Sequence, residues 1–441
     1  MTFTRVAVSI LLLTTLTLQA QSVEGYWEGA LIRDGAVRIE RVDIIRDGNA
    51  LKASVMSGDW LAERDGVAVT QDGANVRIEI PDEPLVLVHD AAVGEMIGTT
   101  AATSTPPVRV HLKRALRPPT PAVHFEDVRF PAGDITIGGT IVTPATAGPH
   151  PLIVWLHGRG GTVRTGFRGF ARRFAERGVA SFIFDRRGSG ESTGNESVAS
   201  TYDLANDVIA AIEFLAKRPE VDRAQIGLRS NSAGGWIAPI VVTRSKVPVA
   251  FVIAAVGPAD SVRDQQVHVA EYNMRRAGGF SEDEIAAAKA HMELVQDVAY
   301  TSKGWEALRT SNERAKTTRW AKFVDLPDSD AYEDIQWVRH KQYDPGPDLQ
   351  KITVPYLALY GAADSVVPPE INVPKLERYL KAAGNRDYKI VVVPEAGHGL
   401  SIEDGVRKLP KDDYYWMWSK AAPLAIETQF AWLLAHVKTA K

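Results

Sequence analysis

Ser232 has the sequence surroundings of a nucleophile. It lies in Ser230-Asn231-Ser232-Ala233-Gly234, between the apolar run Ile226-Gly227-Leu228 and the stretch Gly235-Trp236-Ile237-Ala238-Pro239-Ile240-Val241-Val242. Strand, sharp turn and helix in that order form a nucleophile elbow, whose usual pattern is Gly-x-Ser-x-Gly. Small residues two before and two after the serine let strand and helix pack closely. The tight turn then lifts the hydroxyl clear of the sheet. Ser230 stands where Gly is usual, so its side chain must fit beneath the elbow, and a hydrogen bond within the turn is the expected accommodation.

A serine hydroxyl is a poor nucleophile at neutral pH unless a base removes its proton. Two of the ten histidines, His157 and His398, sit beside Gly in loop-like surroundings. His398 follows the apolar strand Tyr388-Lys389-Ile390-Val391-Val392-Val393 near the C-terminus, where a base belongs in the chain order Ser, Asp, His. The base in turn needs an acid to hold its tautomer and stabilise the imidazolium. Asp364, in Gly361-Ala362-Ala363-Asp364-Ser365-Val366-Val367-Pro368 after the preceding strand, is the first choice. Asp260, after the strand that follows the elbow, is the alternative acid. Glu395, three residues before His398, reads as solvated. The developing oxyanion requires donors worth about 3–4 kcal/mol each. The backbone N–H of Ala233 should be one. The other should come from His157-Gly158-Arg159-Gly160-Gly161, with Arg159 the first choice and Gly160 the second. His157 is expected to order this loop and not to transfer protons.

These residues need a scaffold. The chain has 441 residues, 45% hydrophobic and 24% charged, a composition with room for more than one domain and a large core. Its net charge of −3 provides no basic excess for nucleic acid or an anionic membrane. Residues 22–115 read as all-β. Four Asp-Gly pairs (Asp34-Gly35, Asp47-Gly48, Asp65-Gly66 and Asp72-Gly73) suit tight hairpin turns between alternating runs such as Val76-Arg77-Ile78-Glu79-Ile80. A small barrel or sandwich is expected. Gly25-Tyr26-Trp27-Glu28-Gly29 resembles the opening of lipocalin-like barrels, where the Trp plugs one end; an edge strand with a buried Trp would look the same. Pro118, Pro119 and Pro121 mark a linker over 116–122.

Beyond it the pattern changes. Pro151-Leu152-Ile153-Val154-Trp155-Leu156 is continuously apolar, as in a strand buried on both faces. Helical and strand patterns then alternate through residue 256, which predicts a doubly wound, mostly parallel α/β sheet over 123–441. Residues from about 258 to 348 turn helical, with a capping box at Ser281-Glu282-Asp283-Glu284, and read as a cap inserted before the last strands.

The N-terminus is a separate message. Arg5 precedes an apolar run from Val6 to Leu18 that is too short for a comfortable bilayer span, and Leu18-Gln19-Ala20 suits signal peptidase. The expectation is an exported chain, periplasmic or extracellular, with residues 1–20 removed and no stable membrane span left. The single Arg does not make a twin-arginine signal. The chain has no Cys, hence no disulfide and no lipid-modified N-terminal Cys.

From about Val123 onward the chain resembles the α/β-hydrolase superfamily, close to bacterial esterases and serine aminopeptidase-like or dienelactone-hydrolase-like proteins. The resemblance rests on five pieces in order: His157 to Gly161, Asp185-Arg186-Arg187-Gly188-Ser189-Gly190-Glu191-Ser192, the elbow, Asp364, and Gly397-His398-Gly399. It implies a structural role for the Asp185 loop, with no nucleophilic part for Ser189 or Ser192. It also implies an acyl-enzyme on Ser232 and no metal or organic cofactor. Serine at the elbow excludes dehalogenase chemistry, and the absence of Cys excludes thiol-type lactone hydrolysis. The activity so implied is hydrolysis of carboxylic esters with small or medium acyl groups. Two alternatives are a serine exopeptidase or oligopeptidase acting on short peptides, and a catalytically dead fold that binds ligand. An exopeptidase would need an anchor for a peptide terminus, for which Glu271 and Glu284 in the cap are candidates. The cluster Tyr414, Tyr415, Trp416 and Trp418 could line an acyl pocket or pack against the cap.

Overall fold

The computed structural model describes residues 22–439 except 34–35, 58–61, 82, 102–107, 120–121, 161–162 and 403–419. The export segment, the Asp34-Gly35 pair, Gly161 and the Tyr414–Trp418 cluster lie outside the described residues. The chain divides into two compact units, with the main division between Arg117 and Pro118.

The first unit is a closed antiparallel barrel of eight strands in sequential order. They are β1 (Gly25–Arg33), β2 (Ala36–Asp47), β3 (Ala50–Ser57), β4 (Ala62–Asp72), β5 (Asn75–Ile78), β6 (Leu85–Asp90), β7 (Glu95–Thr100) and β8 (Arg109–Ala115). Alternation along each strand sends one set of side chains inward, as in β6, where Leu85 and Leu87 are buried and Val86 and Val88 exposed. Pairing of β1 with β8 closes the ring and leaves no free edge. Trp27 is fully buried; its indole N–H donates to the Val23 carbonyl at 2.9 Å and the Arg114 guanidinium lies 4.5 Å over its ring. Asp47-Gly48 and Asp72-Gly73 form turns as expected, but Asp65-Gly66 lies inside β4. Gly66 takes a φ of +70° there, a conformation that strands accommodate at bulges, so a favourable turn pair need not end a strand.

The second unit holds an eight-stranded sheet in the order β16-β15-β14-β13-β11-β12-β10-β9. Its strands are β9 (Val123–Ala132), β10 (Ile135–Pro144), β11 (His150–Leu156), β12 (Ala180–Phe184), β13 (Val221–Asn231), β14 (Val252–Ala255), β15 (Tyr356–Gly361) and β16 (Tyr388–Val393). The edge pair β9–β10 is an antiparallel hairpin, and β10 also pairs antiparallel with β12. The remaining neighbours are parallel. Every residue of β11 is buried. Leu152, Val154 and Leu156 join the core on one face, with α2 (Thr201–Leu215), α3 (Gly234–Arg244) and α9 (Pro369–Ala382). Ile153 and Trp155 join the core on the other, with α1 (Arg168–Ala175) and α10 (Pro423–His436).

The cap comprises α4 (Val262–Ala277), α5 (Glu282–Thr301), α6 (Trp305–Lys316), α7 (Glu333–His340) and the short α8 (Gly346–Leu349). Ser281 caps α5 with both bonds of the expected capping box. A two-strand ribbon, β17 (Ser401–Ile402) with β18 (Lys420–Ala421), follows β16. Among the described residues no helix is long and apolar enough to cross a membrane. The chain runs from β11 outward to β12, then returns past β11 to β13, so the strand order reverses beside β11. In open α/β sheets the crevice at the carboxyl ends of the strands flanking such a reversal is where ligands bind.

Candidate active site

Ser232 lies one residue past the carboxyl end of β13 at that reversal, with a φ of 49°. A non-glycine residue in this left-handed region carries local strain of about 1–3 kcal/mol, which the surroundings must hold. They do so with backbone bonds: the Ser232 N–H donates to the Ala255 carbonyl at 2.9 Å, and the Gly235 N–H donates to the Ser232 carbonyl at 2.7 Å. Close packing supplies the rest. A Cβ on Gly234 would lie 2.9 Å from the His157 carbonyl oxygen, which explains the small residue two places after the serine. Ser230, two places before, is 0% exposed, and its hydroxyl has no hydrogen-bond partner among the described residues. The expected bond within the turn is therefore not made among the described residues.

His398 joins the elbow to the acid. Its Nε2 is 2.9 Å from Ser232 Oγ and its Nδ1 2.9 Å from Asp364 Oδ2. A carboxylate only accepts, so Nδ1 carries the proton and Nε2 is free to accept from the serine hydroxyl. Asp364 is fully buried and its other oxygen accepts the Val366 and Val367 N–H groups at 2.8 and 2.9 Å. These two amides, which the sequence did not single out, lock the carboxylate's orientation; an Asp before two residues of a turn is the signal that could have found them. Residues on both sides of His398, Glu395 at φ 60° and Leu400 at φ 52°, are also left-handed.

The alternative acid does not reach His398. Asp260 accepts from His268 Nδ1, from Lys375 Nζ at 2.7 Å and from the Ser261 N–H. Burial pushes its carboxyl up, but the His268 and Lys375 bonds outweigh burial and the net shift is down. Asp260 is the carboxylate of a different charge cluster, at the base of the cap.

The Gly-rich loop follows β11 and runs alongside the nucleophile. A Cβ on Gly158 would sit 3.3 Å from Ser232 Cβ. Neither the Ala233 nor the Arg159 N–H makes a hydrogen bond among the described residues. Gly160 has a φ of +97°, and its carbonyl accepts from Arg186 Nη1 at 3.2 Å. The Arg159 side chain pairs with Asp334 and Glu333 of α7 and lies 4.7 Å over Trp337, tying the loop to the cap. His157 is buried, and its Nε2–H donates to the Phe184 carbonyl at 2.5 Å. Burial drives its pKa down to about 3, so it stays neutral and anchors β11 to β12.

The Asp185 loop is held from inside. Asp185 accepts from the Arg164 backbone at 2.7 Å, from Arg164 Nη1 at 2.6 Å and from the Glu191 N–H at 2.9 Å. Ser192 donates to the Asp185 carbonyl, and Ser189 lies in a turn on the same loop. Beneath the elbow the sequence concealed one further cation. Arg229 is buried with no carboxylate partner among the described residues; it reaches Gln429 at 3.3 Å and Asn231 at 3.4 Å, lies 4.9 Å over the Trp155 ring, and has its pKa lowered to about 10 by burial. A strand Arg carries no pattern that marks it as buried.

Known proteins share parts of this chain. The quorum-quenching protein AidA of Acinetobacter baumannii is 32% identical over 110 residues, which cover 25% of this chain and 36% of that protein. The 31.7 kDa protein of the traX-finO intergenic region of Escherichia coli is 27% identical over 227 residues, 50% of this chain and 75% of that protein. The chain thus spans about a third of one and three quarters of the other. Among solved structures, the alpha/beta hydrolase GrgF from Penicillium sp. sh18 superposes with a TM-score of 0.45 at 18% identity, over 71% of this chain and 99% of that one. Residues 153–408, more than half the chain and the stretch that carries Ser232, Asp364 and His398, match the alpha/beta hydrolase family, and the chain belongs to that family.

Proposed function

We propose that this chain is a serine hydrolase that cleaves carboxylic esters of small or medium acyl groups. The observation that carries the reading is the hydrogen-bonded series Ser232, His398, buried Asp364. Ser232 Oγ attacks the ester carbonyl while His398 Nε2 takes its proton. The amides of Ala233 and Arg159 are the donors assigned to the resulting oxyanion. On collapse the Ser232 ester remains, and His398 gives its proton to the departing alkoxide. Water then repeats the sequence and releases the acid. None of these steps calls for a metal or cofactor.

The exopeptidase reading loses its named anchors. Glu271 is bonded to Arg275 and Lys289, and Glu284 is bonded to Arg319 and to the Ser281 cap. A ligand-binding role without catalysis would have no use for the aligned series. The test is labelling of the folded chain with a fluorophosphonate, followed by turnover of p-nitrophenyl esters against aminoacyl anilides. Ser232→Ala and His398→Ala should each lower ester turnover at least about a thousandfold. A folded chain with no Ser232 adduct refutes the mechanism, and faster anilide than ester turnover refutes the ester preference. Residues 5–20 further support export to the periplasm or beyond; a mature chain that still begins at Met1 by N-terminal sequencing would reject it.

A further inference from the structure

Departure of the leaving group has a direction in this site. His398 delivers the proton to the leaving oxygen, so the alcohol half of an ester must lie on the His398 side of Ser232. Against the loop that carries His398, a cleft of about 650 Å³ lies between the cap and the loops of the base and the acid. It is lined by Asn273, Arg276, Lys322, Ser365, Glu395 and Gly397. Ser365 is next to Asp364 and Gly397 next to His398, so the cleft borders both. Its volume is that of a small-molecule pocket.

Its charge is lopsided. Arg276 and Lys322 have no carboxylate partner among the described residues. Arg276 donates to the Ala363 carbonyl at 3.0 Å, which holds the guanidinium against the acid loop, and Asn273 donates to the Ser365 carbonyl at 3.0 Å. Lys322 sits 5.2 Å from the ring of Phe323, another wall of the cleft. Glu395 is the lone carboxylate among the lining residues and is exposed. Several other arginines of the cap are matched with acids, Arg275 with Glu282, Arg319 with Glu284 and Arg339 with Asp330. Two cations without an acid partner among the described residues leave an excess positive charge along this cleft.

We propose that this cleft is the leaving-group pocket and that Arg276 and Lys322 select esters whose alcohol half carries a carboxylate. The proposal rests on the serine-hydrolase reading above. The chemistry balances as ordinary acyl transfer: the Ser232 Oγ–carbonyl bond forms, the carbonyl–alkoxide bond breaks, and the serine proton leaves on the alkoxide through His398. The carboxylate takes no part in the bonds that change. It is held by two cations near the surface, so its effect is a preference between substrates.

Two esters with the same acyl group and similar leaving oxygens test this: meta-acetoxybenzoate, which bears the carboxylate, and neutral meta-acetoxybenzamide. The wild-type chain should prefer the benzoate in kcat/KM by about tenfold or more at low salt, and the preference should shrink as salt screens the cations. Lys322→Gln should cut the preference ratio about fivefold, and adding Arg276→Gln should remove it. Glu395→Gln should raise it. The ratio is the readout because Arg276 also touches the acid loop, and a general loss of activity cancels in it. Equal kcat/KM for the two esters, with Ser232 labelled normally by fluorophosphonate, overturns the pocket and leaves the serine-hydrolase reading standing. Failure of labelling overturns both. If neither acetate turns over, direct titration with meta-hydroxybenzoate decides: binding that Lys322→Gln weakens sustains the pocket, and no binding overturns it.

Discussion

Asp364→Asn is the sharpest probe of the proposed mechanism because the surroundings dictate which way the new amide must face. Oδ1 of Asp364 accepts two backbone N–H groups, from Val366 and Val367, at 2.8 and 2.9 Å. If the Asn nitrogen took that place, it would oppose two buried donors, at about 1–3 kcal/mol for each unsatisfied group. The amide oxygen must therefore stay there and the amide nitrogen must face His398 Nδ1. A donor in that place makes Nδ1 an acceptor and moves the imidazole proton to Nε2, against Ser232 Oγ. The base then points a proton at the nucleophile. Restoring the useful tautomer would set two donors face to face and forfeit a bond worth about 1 kcal/mol. The buried carboxylate that would stabilise the imidazolium has gone as well. Together these losses come to about 5 kcal/mol, or about ten-thousandfold in kcat. Because both backbone bonds survive, the variant should stay folded, with a melting temperature within a few degrees of wild type. Steady-state turnover of p-nitrophenyl acetate at neutral pH gives the answer. A folded Asp364→Asn chain that keeps more than about a tenth of wild-type kcat would show that Asp364 does not set the tautomer of His398, and the mechanism would fall.

Two further outcomes follow from buried groups. Ser230→Ala removes a buried hydroxyl with no partner among the described residues. It should leave turnover unchanged and stabilise the fold by about 1 kcal/mol, a rise in melting temperature of about 1–2 °C; a clear fall would mean that the hydroxyl is bonded. Asp325 in the cap is pushed up to about 6 by burial, reinforced by Asp334 and opposed by Arg159. With its folded pKa above the unfolded value, its contribution to stability is complete below about pH 4 and is lost as pH rises through about 6. Asp325→Asn should accordingly exceed wild type by about 2 kcal/mol in urea unfolding at about pH 8 and lose that advantage near pH 4. An advantage independent of pH would refute the assignment.

Much of the fold is legible because its signals are local. β14, β15 and most of β11 are unbroken apolar runs, since helices cover both faces of the sheet, and α2 shows Leu204, Val208, Ile212 and Leu215 in register. The β9–β10 hairpin is hard to read because the edge strand β9 alternates buried with exposed residues, as a barrel strand does. Asp65-Gly66 misled for a related reason: a residue pair states which backbone angles it tolerates, and the pairing of β4 decides whether they make a turn or an irregularity within a strand. For the candidate anchors, Arg275 four residues after Glu271 and the capping box at Glu284 are local signals, but nothing local announces Lys289 or Arg319, which face them from elsewhere in the cap.

The sequence by itself determined the order of the parts: an elbow after one strand, an acid after another, a base after the last, and a Gly-rich turn after the first. These depend on neighbours along the chain, which turn and strand preferences encode. Only the tertiary structure places Asp364 2.9 Å from His398 Nδ1 and binds Asp260 to His268 and Lys375 instead. It also shows that, among the described residues, Ser230 Oγ has no hydrogen-bond partner, Arg229 is a buried cation, and Arg276 and Lys322 line one cleft without an acid partner. Those are facts about distances between residues far apart in the chain, and hydrogen bonds and charges act through distance.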